Sequence, residues 1–499
     1  MRRVWVREVA GWSGALAVGV ITVAQVAASA RSDLLFRDGD SLIVGMFSRS
    51  LLSGVPLDWA MSSVLFVPEI SVFSGLDAAL SLDLNGLLAV NAVINMLALY
   101  GALRVAAGRR RDGAAPVAWA LLGLGIFGIL AMTDLSASRD ALDLASLLLT
   151  TTYYSATVVA VVLSVGLVRR VVDRRTGGVG SLIALGGTAA VSTLSNPLFA
   201  AWATIPLSWI LLVMLLRSAP RVRTATILVV LAIGTVLGFL GRIPLRAWIA
   251  NTGAGYIQPA LWTESLGYYG RLLVDRLATP AGVIGVVIVI ALVAWAIVRM
   301  LREDDIGSRL VAAVAWAMPA LVLVGAIALG THAARYLQPL AFGPVLATVA
   351  APRAWRSPVR LRRILPAAAA VLLLIGGALS VPRLVAASAT PDPDLACVTD
   401  WVDASERIGA GQFWTVRLPK LHLDDPRQLV QVDHELNAYA WLVNRADFDV
   451  DGVSFLVEDS QSVAWQLSTP ATPDEIVECG RYRILDFGDR VLPLGPQHS

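Results

Sequence analysis

Residues 31–57 read RSDLLFRDGDSLIVGMFSRSLLSGVPL and lie between the first two apolar runs of the chain. At their centre, Asp38-Gly39-Asp40 places two carboxylates close to the point where the chain leaves a predicted membrane span. Ionisable groups at a membrane boundary are costly unless water, a cation or a substrate satisfies them, so they are functional candidates. Asp and Gly are also common turn residues, and a solvated turn accounts for the same three residues. The rest of the sequence helps to decide between a functional site and a solvated turn.

The composition excludes an ordinary soluble protein. Hydrophobic residues make up 56% of the chain and charged residues only 15%, whereas soluble domains have about 45–50% and about 25%. The net charge of +3 does not indicate a nucleic-acid partner, because the basic residues occur in short clusters between apolar runs rather than along one stripe. The sequence therefore predicts a polytopic α-helical membrane protein.

The apolar runs predict about eleven membrane spans, since a helix of about 20 residues crosses a hydrocarbon core of about 30 Å. The predicted spans are residues 11–30, 84–107, 115–132, 147–168, 181–194, 198–216, 224–240, 281–300, 310–329, 337–351 and 364–381.

Residues 58–83 are apolar but interrupted by Pro68-Glu69 and Asp77. We interpret them as helices lying in the outer membrane interface. If they spanned the membrane, the cluster Arg109-Arg110-Arg111 and every later arginine cluster would face outward, against the preference of Lys and Arg for the cytoplasmic side. This topology predicts a cytoplasmic N-terminus, an outer C-terminus and a transmembrane domain over residues 1–387, with long outer loops at 31–83 and 241–280.

Residues 388–499 have a different composition and predict a small extracytoplasmic α/β domain. An amphipathic helix is expected in the stretch PDPDLACVTDWVDASERIG, with another helix at 435–444. Expected strands lie at 411–418, 428–433, 453–458 and 482–487. About 110 residues are enough for a domain with its own core.

Both cysteines, Cys397 and Cys479, fall in this C-terminal region. Disulfides persist outside the cytoplasm and no other thiol competes, so we predict that the two cysteines are bonded, the alternative being two unrelated buried thiols. The four histidines form no spaced cluster, which argues against a His- or Cys-based metal site.

A second candidate site is the stretch THAARYLQP at residues 331–339, which places Arg335 at the outer end of a predicted span. A guanidinium group matches phosphate oxygens with two parallel donors, so Arg335 could bind an anionic head group. An arginine whose side chain extends to the membrane surface is the alternative. The Trp and Tyr residues of the 241–280 loop could belong to a substrate site, but an interfacial aromatic belt also explains them.

The pattern resembles the GT-C superfamily of membrane glycosyltransferases, which take sugars from polyprenyl-phosphate donors. The resemblance rests on the acidic motif in the first outer loop, interface helices after it, and Arg335-Tyr336-Leu337-Gln338-Pro339 near the start of a late span. Such enzymes can also carry an extracytoplasmic C-terminal domain. Many members have Asp-Glu or adjacent acids where this chain has Asp-Gly-Asp, so Asp38 and Asp40 both remain candidates.

The resemblance implies transfer of a sugar from a polyprenyl-phosphate donor to a glycan or lipid acceptor of the cell envelope. The reaction would take place on the extracytoplasmic face of a bacterial cytoplasmic membrane. Glycosyl transfer needs a base for the acceptor hydroxyl, which would be Asp40 or Asp38. It also needs cations for the departing lipid phosphate, and here Arg335 is the first candidate, followed by Arg242, Arg246 and Arg271.

The expected substrate cavity includes Tyr336, His332, Trp262 and Glu69. If the acids instead hold a divalent cation, carboxylate oxygens suit Mg²⁺ or Mn²⁺. Two other functions stay open. The first is a catalytically inactive scaffold or binding protein in envelope assembly. The second is a transporter of lipid-linked sugars, which would need charges within the spans and often repeated halves.

Overall fold

A computed structural model describes residues 2–109, 113–173, 178–217, 221–353, 359–468 and 470–499 of the chain. Side chains are described from residue 5 onward within these ranges, except those of residues 359–366. Parts of the predicted inner arginine clusters fall outside the described residues, namely Arg110, Arg111, Arg174, Arg175 and Arg356.

The α-helices are α1 (Arg2–Ala27), α2 (Ser32–Phe36), α3 (Ile43–Leu52), α4 (Val67–Ala79), α5 (Leu84–Ala106), α6 (Pro116–Met132), α7 (Ser155–Val172), α8 (Val179–Ser195), α9 (Ile205–Leu216), α10 (Arg221–Gly241), α11 (Trp262–Leu277), α12 (Pro280–Arg302), α13 (Ile306–Ala328), α14 (Pro339–Phe342), α15 (Leu346–Ala350), α16 (Val359–Ser388), α17 (Pro393–Ser405) and α18 (Phe413–His422). The strands are β1 (Trp59–Ala60), β2 (Gly409–Gln412), β3 (Leu429–Val432), β4 (Asn437–Tyr439), β5 (Val443–Asn444), β6 (Phe455–Glu458), β7 (Glu475–Cys479), β8 (Tyr482–Asp486) and β9 (Gly495–His498).

Among the described residues, 7 helices are long and apolar enough to cross a membrane: α1, α5, α7, α10, α12, α13 and α16. The prediction of a helical membrane protein is confirmed, but eleven spans was too many. Three of the predicted spans form the shorter apolar helices α6, α8 and the continuous stretch Ala200–Leu216, each with at most 17 residues.

The predicted span at residues 337–351 is wrong because this segment is not one helix. It consists of a 3-10 turn at Ala334–Leu337, then α14, then α15. Pro339 and Pro344 have no backbone N–H and therefore interrupt the helical hydrogen-bond ladder. Gln338 is buried at the first break and donates a hydrogen bond to the Tyr153 carbonyl at 2.9 Å.

Two other segments differ from the sequence-based expectation. The predicted span at 147–168 starts as a 3-10 turn at Ser146–Leu149, and its α-helix begins only at Ser155. Tyr154, immediately before that helix, has φ 68°, a left-handed conformation that separates the two helical pieces. Residues 58–83, expected to form interface helices, contain the short strand β1 and the single 13-residue helix α4.

Contacts divide the chain into two compact units. Unit 1 comprises Met1–Leu34, Leu88–Ile243 and Ala254–Ser388, and it contains most of the apolar helices. Helices α8 and α10 pack closely in this unit, because glycines allow their backbones to approach. A Cβ added at Gly238 would lie 2.6 Å from the Ala190 carbonyl oxygen, and small residues commonly permit such packing between membrane helices.

Unit 2 comprises Leu35–Leu87, Pro244–Gly253 and Ala389–Ser499. The C-terminal region thus forms one compact unit with parts of the two predicted outer loops, 31–83 and 241–280. β1 of residues 35–87 pairs antiparallel with β5 of the C-terminal region, with Trp59 opposite Asn444.

The C-terminal region forms a 7-stranded sheet in the order β7-β8-β6-β2-β3-β4-β9. β2 runs parallel to both β3 and β6, and α18 connects β2 to β3 as in a βαβ unit. The expected strand at 411–418 therefore stops at Gln412 and continues as α18. The expected helix at 435–444 is also wrong, because β4 and β5 occupy it.

The predicted disulfide is confirmed. Cys397 of α17 is bonded to Cys479 of β7, with Cα atoms 5.5 Å apart, a separation usual for disulfides. Cys479 belongs to a core cluster with Val398, Val402 and Tyr482. The bond therefore ties helix α17 to the edge strand of the sheet through the core of this region.

Candidate functional site

Residues 38–41, here called the acidic turn, lie before α3 in unit 2. The backbone N–H of Ser41 donates to the Asp38 carbonyl at 2.8 Å and to Asp38 Oδ2 at 3.2 Å. Helix α3 is capped by Leu42, with no side-chain capping bond. Asp38 therefore holds the turn, and Asp40 is not the N-cap of helix α3.

Gly39 is explained by close packing. A Cβ at this position would lie 3.1 Å from Trp414 Cε3 and 3.4 Å from Arg417 Cδ. Gly39 is not among the residues with positive φ, so the backbone conformation alone does not require glycine. The spacing Asp-Gly-Asp thus reflects contact with helix α18, which the sequence-based explanation as a solvated turn did not include.

Arg417 of α18 makes the most specific contact with the acidic turn. Its Nε donates to the Gly39 carbonyl at 2.7 Å, and its Nη1 donates to the Leu442 carbonyl at 2.6 Å. Gln431 Oε1 accepts a third, longer bond at 3.3 Å. The guanidinium carbon lies 4.7 Å from the ring centroid of Phe413. Arg417 therefore joins the acidic turn to β3 and to the loop before β5.

The Arg417 side chain is fully buried. Burial lowers the pKa of Arg417 to about 10, although the negative charges of Asp40 and Asp38 oppose this shift. Among the described residues, Nη2 has no hydrogen-bond partner. Burying an ion costs several kcal/mol unless pairing and hydrogen bonds compensate. This arginine is thus energetically expensive, and only its bonds to carbonyl groups and the field of the two acids offset the cost.

Asp40 is the less constrained of the two acids. It is half-buried, while its neighbours Gly39 and Ser41 are buried. No hydrogen bond or ion pair to its carboxylate occurs in the described part of the chain, whereas the Asp38 carboxylate accepts bonds from Ser41. The geometry therefore favours Asp40 as the acid that can accept a proton from a bound molecule.

A divalent cation at Asp38 and Asp40 stays a prediction, because one or two carboxylates can hold Mg²⁺ together with water and substrate phosphates. Within the described ranges, no group of three or more His, Cys, Asp or Glu residues is placed to hold a metal ion. The charged group beside the acidic turn is instead the Arg417 guanidinium.

The other predicted site residues divide between the two units. Arg246 and Glu69 belong to unit 2, together with the acidic turn. Glu69 is buried in the first turn of α4. Unit 1 contains Arg335, Arg242, Arg271, Tyr336, His332 and Trp262.

Arg335 lies in the 3-10 turn before α14, within an aromatic environment. Its Nε donates to the Tyr154 hydroxyl at 3.2 Å, and its guanidinium carbon lies 5.8 Å from the ring centroid of Tyr336. The Tyr336 carbonyl accepts a bond from Trp202 Nε1 at 3.1 Å. These contacts restrict one edge of the Arg335 guanidinium and the backbone at Tyr336.

His332 and the helix α11 lie beside the same segment. The His332 ring is 5.4 Å from the ring of Tyr268. Ser265 donates to the Thr331 carbonyl at 2.6 Å, which connects α11 to the residue before His332. Arg242 is used structurally, because its Nη1 donates to the Leu194 carbonyl at 2.7 Å. Trp262 and Arg271 are exposed.

Sequence reasoning missed a buried ion network in unit 1. Arg276 forms ion pairs with Asp134, at 2.8 Å, and with Asp143. Arg31 donates to the Asp143 carbonyl at 2.8 Å and to Ser146 Oγ at 3.0 Å. Nothing in the sequence spacing of Asp134, Asp143 and Arg276 indicates that these three side chains are in contact.

Replacing Arg276 with Met is expected to destabilise unit 1. The change leaves two buried carboxylates without their cation, and breaking a buried pair typically costs about 3–5 kcal/mol. Thermal unfolding in detergent would measure the loss. Arg271→Met is the matched control, because this exposed arginine lies on the same helix and its removal should change stability by no more than about 0.5 kcal/mol. Equal melting temperatures for the two variants would contradict a role for the network.

No protein-family model matches the chain, and a comparison with curated proteins also finds no match. The candidate site therefore has to be interpreted from its own residues.

Proposed function

We propose that this protein is a membrane glycosyltransferase that takes a sugar from a polyprenyl-phosphate donor, with Asp40 as the general base. The two acids differ in the hydrogen bonds of their carboxylates, and this difference supports the proposal most strongly. The Asp38 carboxylate is bonded to Ser41, whereas the half-buried Asp40 carboxylate has no such bond among the described residues. A base must be ordered but available, and Asp40 meets both conditions.

In this reaction Asp40 removes the proton of an acceptor hydroxyl while that oxygen attacks C1 of the donor sugar. The bond between C1 and the phosphate oxygen breaks, and the polyprenyl phosphate leaves with the bonding electrons. Charge accumulates on the phosphate as the bond breaks, and a fixed cation stabilises it more in the transition state than in the ground state. Arg335 of unit 1 is our first candidate for binding the donor phosphate, because Tyr154 and Tyr336 restrict its guanidinium.

The proposed setting is the extracytoplasmic face of a bacterial cytoplasmic membrane, where a glycan or lipid of the cell envelope accepts the sugar. A lipid-linked donor is consistent with a chain that has 7 candidate membrane helices in its described part. Nucleotide sugars are cytoplasmic, so a base on the outer face would not meet them.

The direct test uses the purified protein in liposomes with a panel of radiolabelled polyprenyl-phosphate sugars and envelope glycan acceptors. Transfer should convert the lipid-soluble label into a glycan-bound label and release polyprenyl phosphate. An inactive scaffold is the second candidate, favoured by the bonds through which Arg417 holds the acidic turn against α18. Donor binding without turnover across the panel would support the scaffold and contradict the enzyme.

Arg335→Lys is expected to weaken donor binding by about 1–3 kcal/mol, since lysine keeps the charge but loses the two-pronged geometry of the guanidinium. Titration of the reconstituted protein with polyprenyl phosphate, followed by tryptophan fluorescence, would measure the change. Arg299→Lys is the control, because Arg299 bonds to Glu303 and is not among the phosphate-binding candidates, so this variant should bind the donor with nearly unchanged affinity. Intact donor affinity in Arg335→Ala would show that Arg335 does not bind the phosphate.

A further inference from the structure

Arg417 presents a feature that the proposed function does not yet use. It is a fully buried arginine with an unpartnered Nη2 among the described residues. Its best hydrogen bonds go to the backbone carbonyls of Gly39 and Leu442 rather than to a carboxylate. A methionine or leucine of similar volume would be a cheaper core residue, since replacing buried charges by apolar groups is often neutral or stabilising. Structural stability alone therefore does not explain why an arginine is present.

We infer that Arg417 is a positioning residue for Asp40, and that the C-terminal region thereby forms part of the active site. This inference rests on the proposed function. Arg417 lies 378 residues from Gly39 in the sequence, yet it donates directly to the carbonyl group between the two acids. The residue that orders the base is thus contributed by a different part of the chain from the base itself.

The geometry explains how the positioning operates. The Gly39 carbonyl belongs to the peptide group that connects Gly39 to Asp40, so a bond to this oxygen fixes the plane from which the Asp40 side chain projects. Trp414 packs against Gly39 from the same helix and prevents the turn from moving toward α18. Leu442 and Gln431 hold the other edge of the guanidinium. Arg417 therefore connects the backbone of the base to the sheet.

Helix α18 supplies a matched control residue. Lys420 is also buried and lies less than one turn after Arg417. Its Nζ donates to the carbonyls of Pro426 and Leu429, at 2.6 and 2.7 Å, and forms an ion pair with Asp447 at 3.0 Å. None of these three contacts involves the acidic turn. Lys420→Met thus removes a buried cation from the same helix without touching the contact to Gly39.

The experiment compares Arg417→Met, Arg417→Lys and Lys420→Met in the full-length reconstituted protein. Hydrogen exchange, quenched at low pH and followed by mass spectrometry of peptic peptides, reports on residues 38–49, DGDSLIVGMFSR. For Arg417→Met, exchange in this segment should increase by about tenfold more than exchange in the β-sheet of the C-terminal region, whereas Lys420→Met, which breaks the buried ion pair with Asp447, should raise exchange in the segment and in the sheet to the same extent.

Transfer kinetics provide the second readout. Arg417→Met should lower kcat by roughly 100-fold, the effect expected for a small misplacement of a catalytic group, with little change in the donor KM. Arg417→Lys, which keeps the charge, should recover part of kcat because one donor can still reach the Gly39 carbonyl. Lys420→Met should keep kcat within about threefold of the unmodified protein.

Unchanged exchange at 38–49 in Arg417→Met would overturn the inference, as would an equal loss of kcat in Lys420→Met. If the unmodified protein transfers no sugar, the proposed function fails. The exchange measurement still decides whether Arg417 orders the acidic turn, so the two failures are distinguishable.

Discussion

Asp40→Asn is expected to abolish sugar transfer while the protein remains folded. The amide has the shape of the carboxylate but cannot accept the acceptor's proton, and loss of a general base typically costs 10²–10⁴-fold in rate. Stability should fall by no more than about 1 kcal/mol, because Asp40 makes no hydrogen bond in the described residues and does not cap α3, so that only the effect of its charge on the buried Arg417 is lost. Single-turnover assays with a polyprenyl-phosphate donor would measure the rate, and thermal unfolding would measure the stability.

Asp38→Asn is the matched control for this experiment. The Asp38 carboxylate accepts from the Ser41 backbone N–H and hydroxyl, and the carbonyl oxygen of asparagine can accept the same bonds. We therefore expect this variant to transfer sugar at a rate within about tenfold of the unmodified protein. Full activity in both variants would remove the acidic turn from the mechanism. Loss of activity only in Asp38→Asn would reverse the assignment of the base.

The membrane character of the chain could be predicted because it follows directly from the amino-acid composition, which is rich in hydrophobic and poor in charged residues. The number of spans could not, because length alone does not show where a helix is interrupted. Residues 337–351 are apolar throughout most of their length, but two prolines and the buried bond of Gln338 to Tyr153 divide them. The two residues that form this bond are 185 positions apart. The hydropathy of neighbouring residues therefore cannot reveal it.

The candidate site shows the same limit. The two acids could be selected from the sequence because paired carboxylates near a membrane span are rare. Arg417 could not be selected, because it lies in a segment whose alternating pattern predicted a strand at 411–418. The pattern holds only as far as Gln412, after which the chain turns directly into α18. The residues that share a site here come from segments that only the folded structure brings together.

Removing the disulfide is the second change for which we expect a large effect. The double variant Cys397→Ala/Cys479→Ala opens a loop with a sequence separation of 82 residues. Constraint of the unfolded chain by a loop of this length corresponds to about 4–5 kcal/mol in the chain-entropy model, and native disulfides typically contribute about 2–5 kcal/mol. Cys479 lies in the core of the C-terminal region and Cys397 packs against it, so the loss should affect the whole of unit 2.

Denaturant unfolding of the reconstituted protein would measure this loss of stability. Hydrogen exchange in β7 and β8 would show whether the sheet is affected. Reducing agent should destabilise the unmodified protein to about the same extent and should have no effect on the double variant, which separates the disulfide from unrelated effects of the reductant. Since the acidic turn belongs to unit 2, exchange at residues 38–49 should rise in parallel with exchange in the sheet. A loss below about 1 kcal/mol, or faster exchange in the sheet without faster exchange in the turn, would show that the disulfide does not stabilise the structure that holds Asp40.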